Sequence, residues 1–355
     1  MKKPSLVFIG GSLQSAVGYT HYLACQESWN LKAGCYSTSE NINEMTAQKY
    51  GTRYHTSWRM MLDIEKPDAV VVLTPTPSHA KIILPLLDYN IPIICEKALA
   101  ESSQDIRKII MKCDNLDKFA VTYNYSGYPM VRQLKKLIVG GRIGQPLHFQ
   151  VEMPQEAYIR FNSSPQGWRL KDGNVPMIHL DLFSHLHHLL HYLLRRTPLE
   201  VVAKQNSYGN FDVIDNVGCL CRYSDNVDGQ IWFSKSAVGH RNGLRLRIYG
   251  SKGSAEWYQM NPEELIIRTN FGTQEIIDRS SLYWEASIEK RYDRFKAGHP
   301  AGFIEAFANL YNDIAVKFSG VGNDDEVFGP TLALEGLCMM EAMRRSAETK
   351  KWEMV

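Results

Sequence analysis

The first 125 residues constrain the fold most, because short apolar runs alternate there with helical patterns. The run Ala69-Val70-Val71-Val72-Leu73 is continuous and β-branched, which is typical of a strand buried on both faces of a parallel sheet. Further strands are predicted at Leu6–Ile9, Leu31–Tyr36, Ile91–Cys95 and Phe119–Tyr123. Helices are predicted between them at Ala16–Cys25, Asn41–Tyr50, Pro77–Leu87 and Ser103–Cys113. This alternation predicts a doubly wound parallel sheet of the Rossmann type.

The pattern changes beyond residue 125. Strand-like segments follow one another at Val201–Asn206, Val217–Tyr223, Gln230–Ser236, Leu244–Tyr249, Ala255–Tyr258 and Leu265–Arg268. Turn pairs such as Asp228-Gly229 separate several of them, so we predict an open, mainly antiparallel sheet. Helices are predicted near Met130–Val139, Met177–Leu194, Gly302–Phe318 and Pro330–Thr349. We therefore expect two domains, 1–125 and 126–355, and the last helix could pack back on the first.

Charge and composition exclude several classes of protein. Lysine and arginine total 40 and aspartate and glutamate 38, so the net charge of +2 argues against nucleic acid as the main ligand. The chain has no run of 18 apolar residues, so we expect no membrane span. The apolar run Leu6–Ile9 is too short for a signal peptide. Seven cysteines without a CxxC motif indicate reduced thiols in a cytoplasmic protein.

Two polar loops follow predicted strands at the edge where open α/β sheets bind ligands. The first, Gly10-Gly11-Ser12-Leu13-Gln14, lies where a dinucleotide-binding fold places its glycine-rich turn. Serine replaces the second and third glycines of that fingerprint, at positions 12 and 15, so a purely structural turn is the alternative. The second loop runs from Thr74 and Pro75 to His79 and suits the edge of a nucleotide site or the start of a helix.

Glu96 and Lys97 follow a third strand at the same predicted edge. A lysine desolvated there can exchange a proton with a substrate hydroxyl, whereas a surface ion pair is the structural alternative.

Five histidines and one aspartate are concentrated near the predicted helix Met177–Leu194. They are His179, Asp181, His185, His187, His188 and His191. At α-helical spacing Asp181, His185 and His188 share a face, so Asp181 could orient His185 for general acid–base catalysis. A metal site is the rival interpretation, but the chain has no HExxH motif and we expect no metal.

Taken together, these motifs resemble the glucose–fructose oxidoreductase / inositol dehydrogenase / rhizopine catabolism (Gfo/Idh/MocA) family. Glu96-Lys97-Ala98 is similar to its E-K-P motif, Asp181-Leu182-Phe183-Ser184-His185 to its D-x-G-x-H motif, and Trp168-Arg169 to its W-R pair. Similar patterns continue through Val121–Arg132, Asn242–Gly253 and Gly298–Phe307, so the resemblance covers nearly the whole chain.

The resemblance implies an oxidoreductase that transfers hydride between NAD or NADP and a sugar, sugar derivative or cyclitol. It implies that Lys97, Asp181 and His185 are catalytic: Lys97 binds the reacting oxygen, His185 carries the proton, and Asp181 orients His185 or holds a neighbouring hydroxyl. It places Glu96 at the nicotinamide ribose. The other implied cofactor contacts are Gly10, Gly11, Ser12, Leu13, Gln14, Ser37, Thr74, Pro75, His79, Lys97, Asn124, Trp168 and Arg169. The family also implies a homo-oligomer, a dimer or tetramer built on the open face of the second sheet.

Several positions depart from the family pattern. Ala98 replaces a proline and Phe183 a glycine, and we expect Phe183 to add bulk to the substrate pocket. Tyr36 stands where a family acid would bind the adenosine ribose, and Ser37 and Thr38 follow without an arginine, so the sequence does not choose between NAD and NADP. A catalytically inactive binding or sensor protein with a degenerate cofactor loop is the alternative function.

Overall fold

The computed structural model describes residues 3–281, 290–321 and 324–355. It divides into two compact units. The first extends to Gly127 and includes Phe303–Leu334, and the second comprises Tyr128–Gly302 and Glu335–Val355.

The first unit contains a six-stranded parallel sheet. Its strands are β1 (Ser5–Gly10), β2 (Asn30–Cys35), β3 (Arg53–Tyr54), β4 (Ala69–Leu73), β5 (Ile93–Cys95) and β6 (Phe119–Val121). Its helices are α1 (Gly18–Cys25), α2 (Glu40–Tyr50), α3 (Trp58–Glu65), α4 (His79–Leu86), α5 (Ser103–Lys112) and, late in the chain, α8 (Phe303–Ser319). The strand order β3-β2-β1-β4-β5-β6 is that of a dinucleotide-binding Rossmann fold, so the predicted fold class is confirmed.

Helix α8 corrects the predicted domain division. Its apolar side chains Leu310 and Ile314 are buried in one core with Phe8 and Val71 of the parallel sheet. Residues 303–334, which the sequence analysis assigned to the second domain, therefore lie in the first unit. The apolar periodicity of a helix predicts a buried face, but it does not identify the sheet that buries it.

The second unit contains a larger mixed sheet. Its strands are β7 (Pro146–Pro154), β8 (Pro198–Asn206), β9 (Asn216–Tyr223), β10 (Val227–Ser234), β11 (Arg245–Gly250), β12 (Gly253–Tyr258), β13 (Asn261–Thr269), β14 (Gln274–Ile277) and β15 (Glu353–Met354). In the described residues the order is β14-β13-β12-β11-β7-β10-β9-β8-β15. Strands β7 and β10 pair in parallel and the other described neighbours pair antiparallel. The helices named in this part of the chain are α6 (Pro129–Val139), α7 (Ser184–Leu194) and α9 (Pro330–Thr349), whose first five residues belong to the first unit.

One predicted helix differs in a way that matters for the site. The segment Met177–Leu194 is not uniformly α-helical, because a π-helical turn occupies His179–Phe183 before α7 begins. In a π-helical turn the hydrogen bonds span five residues instead of four, so the turn is wider than one of an α-helix.

Two findings concern the chain as a whole. None of the seven cysteines, all of which lie within the described residues, forms a disulphide bond. No helix among the described residues is long and apolar enough to cross a membrane.

Candidate active site

The loop after β1 contains two glycines that no other residue could replace without strain. Gly10 and Gly11 have φ angles of +84° and +74°, and a Cβ on Gly10 would lie 2.7 Å from the backbone nitrogen of Thr74. Helix α1 begins at Gly18, where a Cβ would lie 2.3 Å from the carbonyl oxygen of Gly11. The helix begins later than predicted. The third glycine, at which two backbone segments pack closely, is therefore Gly18 and not residue 15. This close-packed turn fits a dinucleotide diphosphate.

The two bulkier side chains that follow Ser12 leave this turn open. Leu13 and Gln14 are exposed, and the backbone nitrogen of Leu13 donates to Thr46 Oγ1 at 3.3 Å. Ser12 is nearly buried and its carbonyl accepts from the backbone nitrogen of Ser15 at 2.9 Å. The bulk of Leu13 and Gln14 is thus turned to solvent.

The loop after β4 is tied to the loop after β5 by His79. Its ring nitrogens lie 2.7 Å from the carbonyl oxygen of Thr74 and 2.8 Å from that of Ala98. The side chain is completely buried, and burial lowers the pKa of His79. Pro75 is exposed, and Thr74 Oγ1 accepts from Ser78. His79 therefore holds two loops together. Both of its ring nitrogens face backbone carbonyls, so the ring does not point a polar atom at the predicted cofactor.

Glu96 lies in a buried network that the sequence analysis did not find. Its carboxylate is bonded to His21 Nε2 at 3.3 Å and accepts from Thr122 Oγ1, while His21 Nδ1 lies 2.8 Å from the hydroxyl of Tyr311. Burial would raise the pKa of Glu96, but the hydrogen bonds of His21 and Thr122 and the charge of Lys97 lower it overall. A surface ion pair is therefore excluded. No local motif marks His21, because Tyr311 lies on α8 almost three hundred residues away.

Lys97 follows directly and is half-buried. The peptide bond between Lys97 and Ala98 is cis. Lys97 is thus a partly enclosed cation beside a buried carboxylate, at the carboxyl end of β5.

Asn124 is a buried amide at the end of β6. Its side chain is completely buried, and neither its oxygen nor its nitrogen has a hydrogen-bond partner in the described part of the chain. Buried amides in folded proteins are almost always paired, because leaving one unpaired costs about 1–3 kcal/mol. An orphaned amide at this edge fits the predicted contact with a cofactor.

In the second unit, Asp181 lies between two cations. Its Oδ1 is 2.6 Å from Arg169, and its Oδ2 accepts a hydrogen bond from the buried ammonium group of Lys235. The ring of Tyr158 lies 4.6 Å from that ammonium, and Trp168 packs its ring 4.4 Å from the guanidinium of Arg169. Trp168, Arg169 and Asp181 were predicted from the sequence, but Lys235 was not. The only sign of it in the sequence is its position directly after a strand.

The predicted common face of Asp181, His185 and His188 is wrong. Asp181 and His185 are both partly accessible but His188 is completely buried, so His188 does not lie on the accessible face of the other two. The partners of Asp181 described above are Arg169 and Lys235, so its predicted orientation of His185 stays a prediction.

Two neighbouring positions on this segment also differ from expectation. Phe183 is completely buried with its ring 5.6 Å from that of Phe233, so it belongs to the core and does not fill a pocket. His187 and His191 lie 3.2 and 3.1 Å from Oε1 of Glu335 on α9. Within the described residues no group of three or more His, Cys, Asp or Glu side chains is arranged to hold a metal ion.

Comparison with known proteins identifies the family of this chain. Residues 5–125 match the "Oxidoreductase family, NAD-binding Rossmann fold", and residues 131–256 match the "GFO/IDH/MocA C-terminal domain". The chain belongs to the GFO/IDH/MocA family. The resemblance found in the motifs is thereby confirmed, and with it an oxidoreductase that has an NAD-binding Rossmann domain.

Individual proteins resemble this family member over different lengths. An uncharacterized oxidoreductase, YfiI of Bacillus subtilis, is 26% identical over 96% of this chain and 93% of its own. Levoglucosan dehydrogenase of Pseudarthrobacter phenanthrenivorans is 26% identical over 62% of this chain and 63% of its own. The structure of an inositol dehydrogenase homologue from Azotobacter vinelandii, complexed with NADH and myo-inositol, superimposes with a TM-score of 0.87 at 22% identity, covering 100% of this chain and 98% of that one. The last likeness concerns the fold.

Proposed function

We propose that this protein is an NAD(P)-dependent dehydrogenase of a sugar, sugar derivative or cyclitol. The observation that carries the proposal is the turn of Gly10, Gly11 and Gly18, which has the close backbone packing that a dinucleotide diphosphate requires. The orphaned amide of Asn124 at the same sheet edge supports it. When bound, the nicotinamide accepts or supplies the hydride. The substrate class rests on the named activities of relatives such as levoglucosan dehydrogenase.

Three side chains carry the proposed proton chemistry. Lys97 donates a hydrogen bond to the reacting oxygen and stabilises the negative charge that develops there. His185 accepts or returns the hydroxyl proton, because an imidazole can do so near neutral pH. Asp181, whose carboxylate is fixed by Arg169 and Lys235, holds a neighbouring substrate hydroxyl.

The Glu96 network gives Lys97 a fixed electrostatic environment. Glu96 is held inside the first unit by His21 and Thr122, so we propose that it positions the ammonium group of Lys97 more than it binds the cofactor ribose. The carboxylate of Glu96 thus places a fixed negative charge beside the ammonium group of Lys97.

We propose that the open face of the second sheet forms a homo-oligomer, as a dimer or tetramer. Leu220 and Trp232 are 48% and 36% exposed on neighbouring strands of this face, and a depression of about 580 Å³ lies beside them. Light scattering of the wild type and of Trp232→Asp tests this: a monomer in the wild type would contradict the proposal.

The function is tested with a panel of polyols and the oxidised cofactors. Formation of reduced nicotinamide is followed by absorbance with myo-inositol, levoglucosan and common aldoses as substrates. With the substrate that turns over fastest, Lys97→Ala and His185→Ala should each lower kcat at least about a hundredfold. The exposed residues Lys252 and His148 provide the matched controls, because Lys252→Ala and His148→Ala should leave kcat unchanged.

Two outcomes would count against this function. Cofactor binding without turnover of any polyol would favour an inactive binding or sensor protein. A well-folded Lys97→Ala variant with near-wild-type kcat would remove Lys97 from the mechanism.

A further inference from the structure

We propose that the dehydrogenase accepts NAD(H) and NADP(H) with comparable affinity, because the turn after β2 has no charge with which to distinguish them. The inference rests on the proposed cofactor site and specifies its selectivity. In Rossmann folds an acid at the end of the second strand binds the ribose diol of NAD, and a nearby arginine accommodates the 2′-phosphate of NADP. In this chain the segment from Tyr36 to Ser39 contains neither.

The side chain at the end of β2 is turned away from the sheet edge. Tyr36 is 3% exposed, and its hydroxyl lies 2.6 Å from Oγ1 of Thr52. Its ring packs edge-on against Tyr50, 5.5 Å between centroids, and fills the space beside Gly34, where a Cβ would lie 2.3 Å from it. Tyr36 therefore cannot substitute for the ribose-binding acid, since its one polar atom is already bonded inside the unit.

The backbone of the turn is held in place by Asn43, which is itself buried. Its Oδ1 accepts from the backbone nitrogens of Tyr36 and Ser37 at 2.7 and 3.0 Å, and its Nδ2 donates to the carbonyl of Ser37 at 2.8 Å. Ser37 Oγ accepts from the backbone nitrogen of Ser39 at 3.1 Å. The turn is thus fixed from within.

What this fixed turn exposes is neutral. Ser37 is partly accessible, and Thr38 and Ser39 are exposed. Hydroxyl groups both donate and accept, so they can bond a ribose 2′-hydroxyl as an acceptor or a donor and a 2′-phosphate as donors. A carboxylate repels that phosphate and a guanidinium attracts it, and neither is present in the turn.

The test is titration of the wild-type protein with NADH and with NADPH, followed by nucleotide fluorescence. The two dissociation constants should agree within about tenfold. Ser37→Asp places a carboxylate in the turn and can still accept from the nitrogen of Ser39, so it should weaken NADPH binding by about tenfold or more and leave NADH binding unchanged or tighter. Ser37→Asn has the shape of Ser37→Asp without the charge, so any change that comes from size alone should be equal for NADH and NADPH in this variant. Melting temperatures check that each variant is folded.

The outcomes separate this inference from the function beneath it. A wild type that binds NADH but binds NADPH more than about tenfold more weakly overturns the inference and leaves the dehydrogenase proposal standing. The opposite preference of the same size does likewise. Equal loss of both nucleotides in Ser37→Asp and Ser37→Asn contradicts the assigned role of charge. Failure of the wild type to bind either nucleotide overturns the proposed function together with this inference.

Discussion

Lys235 donates a hydrogen bond from its buried ammonium group to the carboxylate of Asp181. The lysine lies one residue beyond β10, and its side chain is only 5% exposed. Lysine is almost never buried without a partner, because an uncompensated charge in a protein interior is costly. The pair therefore links the end of the large sheet to the π-helical turn that precedes α7.

Replacement of Lys235 by methionine should destabilise the protein by about 1–3 kcal/mol, because Asp181 loses one charged hydrogen-bond partner while Arg169 still pairs with it. Lys235→Arg keeps the charge and should lose less than half as much. The urea midpoints of the two variants measure this difference. Equal stability of Lys235→Met and the wild type would show that the pair contributes nothing.

Asn124 and Asn309 are both buried amides in the first unit, and they can be compared because only one of them has a described partner. Asn309 Nδ2 donates to the carbonyl of Gly127 at 2.8 Å, whereas the amide of Asn124 has no partner in the described residues. Asn309→Ala should therefore lose about 1–3 kcal/mol of stability, and Asn124→Ala should lose less than about 1 kcal/mol.

The two variants should behave in the opposite way towards the cofactor. If Asn124 binds it, the rise in melting temperature caused by NADH should shrink in Asn124→Ala and persist in Asn309→Ala. A normal NADH-induced shift in Asn124→Ala would show that the orphaned amide does not contact the cofactor.

The contact of Glu335 with His187 and His191 predicts a pH dependence of stability. Burial would raise the pKa of Glu335, but the two imidazoles lower it from 4.5 to about 2. A carboxyl whose pKa is lower in the folded state stabilises the protein at any pH above its unfolded pKa. That stabilisation is lost as the pH falls from about 4.5 towards 2.

Glu335→Gln should therefore destabilise the protein by about 1–2 kcal/mol at pH 7. The difference from the wild type should decrease steadily below about pH 4.5. Melting temperatures of both proteins across the acid range test this. A difference that is the same at pH 7 and at the acid end would mean that the charge of Glu335 is not responsible.

The sequence predicted the parallel sheet well because its signals are local. The β-branched run of Ala69–Leu73 is completely buried, and the predicted helix stop at Gly51 has the left-handed backbone that favours glycine. Gly10 is the last residue of β1, and Thr74 and Glu96 directly follow β4 and β5, which is why the loops that carry the candidate site were found.

The parts that escaped prediction depend on contacts between distant segments. His21 on α1 is bonded to Glu96 after β5, and Lys235 after β10 meets Asp181 on the π-helical turn, so no spacing in the sequence reports either pair. The common face of Asp181, His185 and His188 was predicted from α-helical spacing, but spacing does not report that His188 is completely buried while the other two are partly accessible.

We propose above that the turn after β1 binds a nicotinamide dinucleotide. Titration of NADH into the wild type, Gly10→Val and Gly51→Val tests this binding directly. Both glycines have positive φ, but a Cβ on Gly10 meets the backbone of Leu73 and Thr74, whereas one on Gly51 has no atom within 4 Å. The wild type and Gly51→Val should bind NADH and Gly10→Val should not, because a side chain at position 10 would push the two loops apart. Undiminished NADH affinity in a folded Gly10→Val protein, or no binding by the wild type, would contradict the proposal.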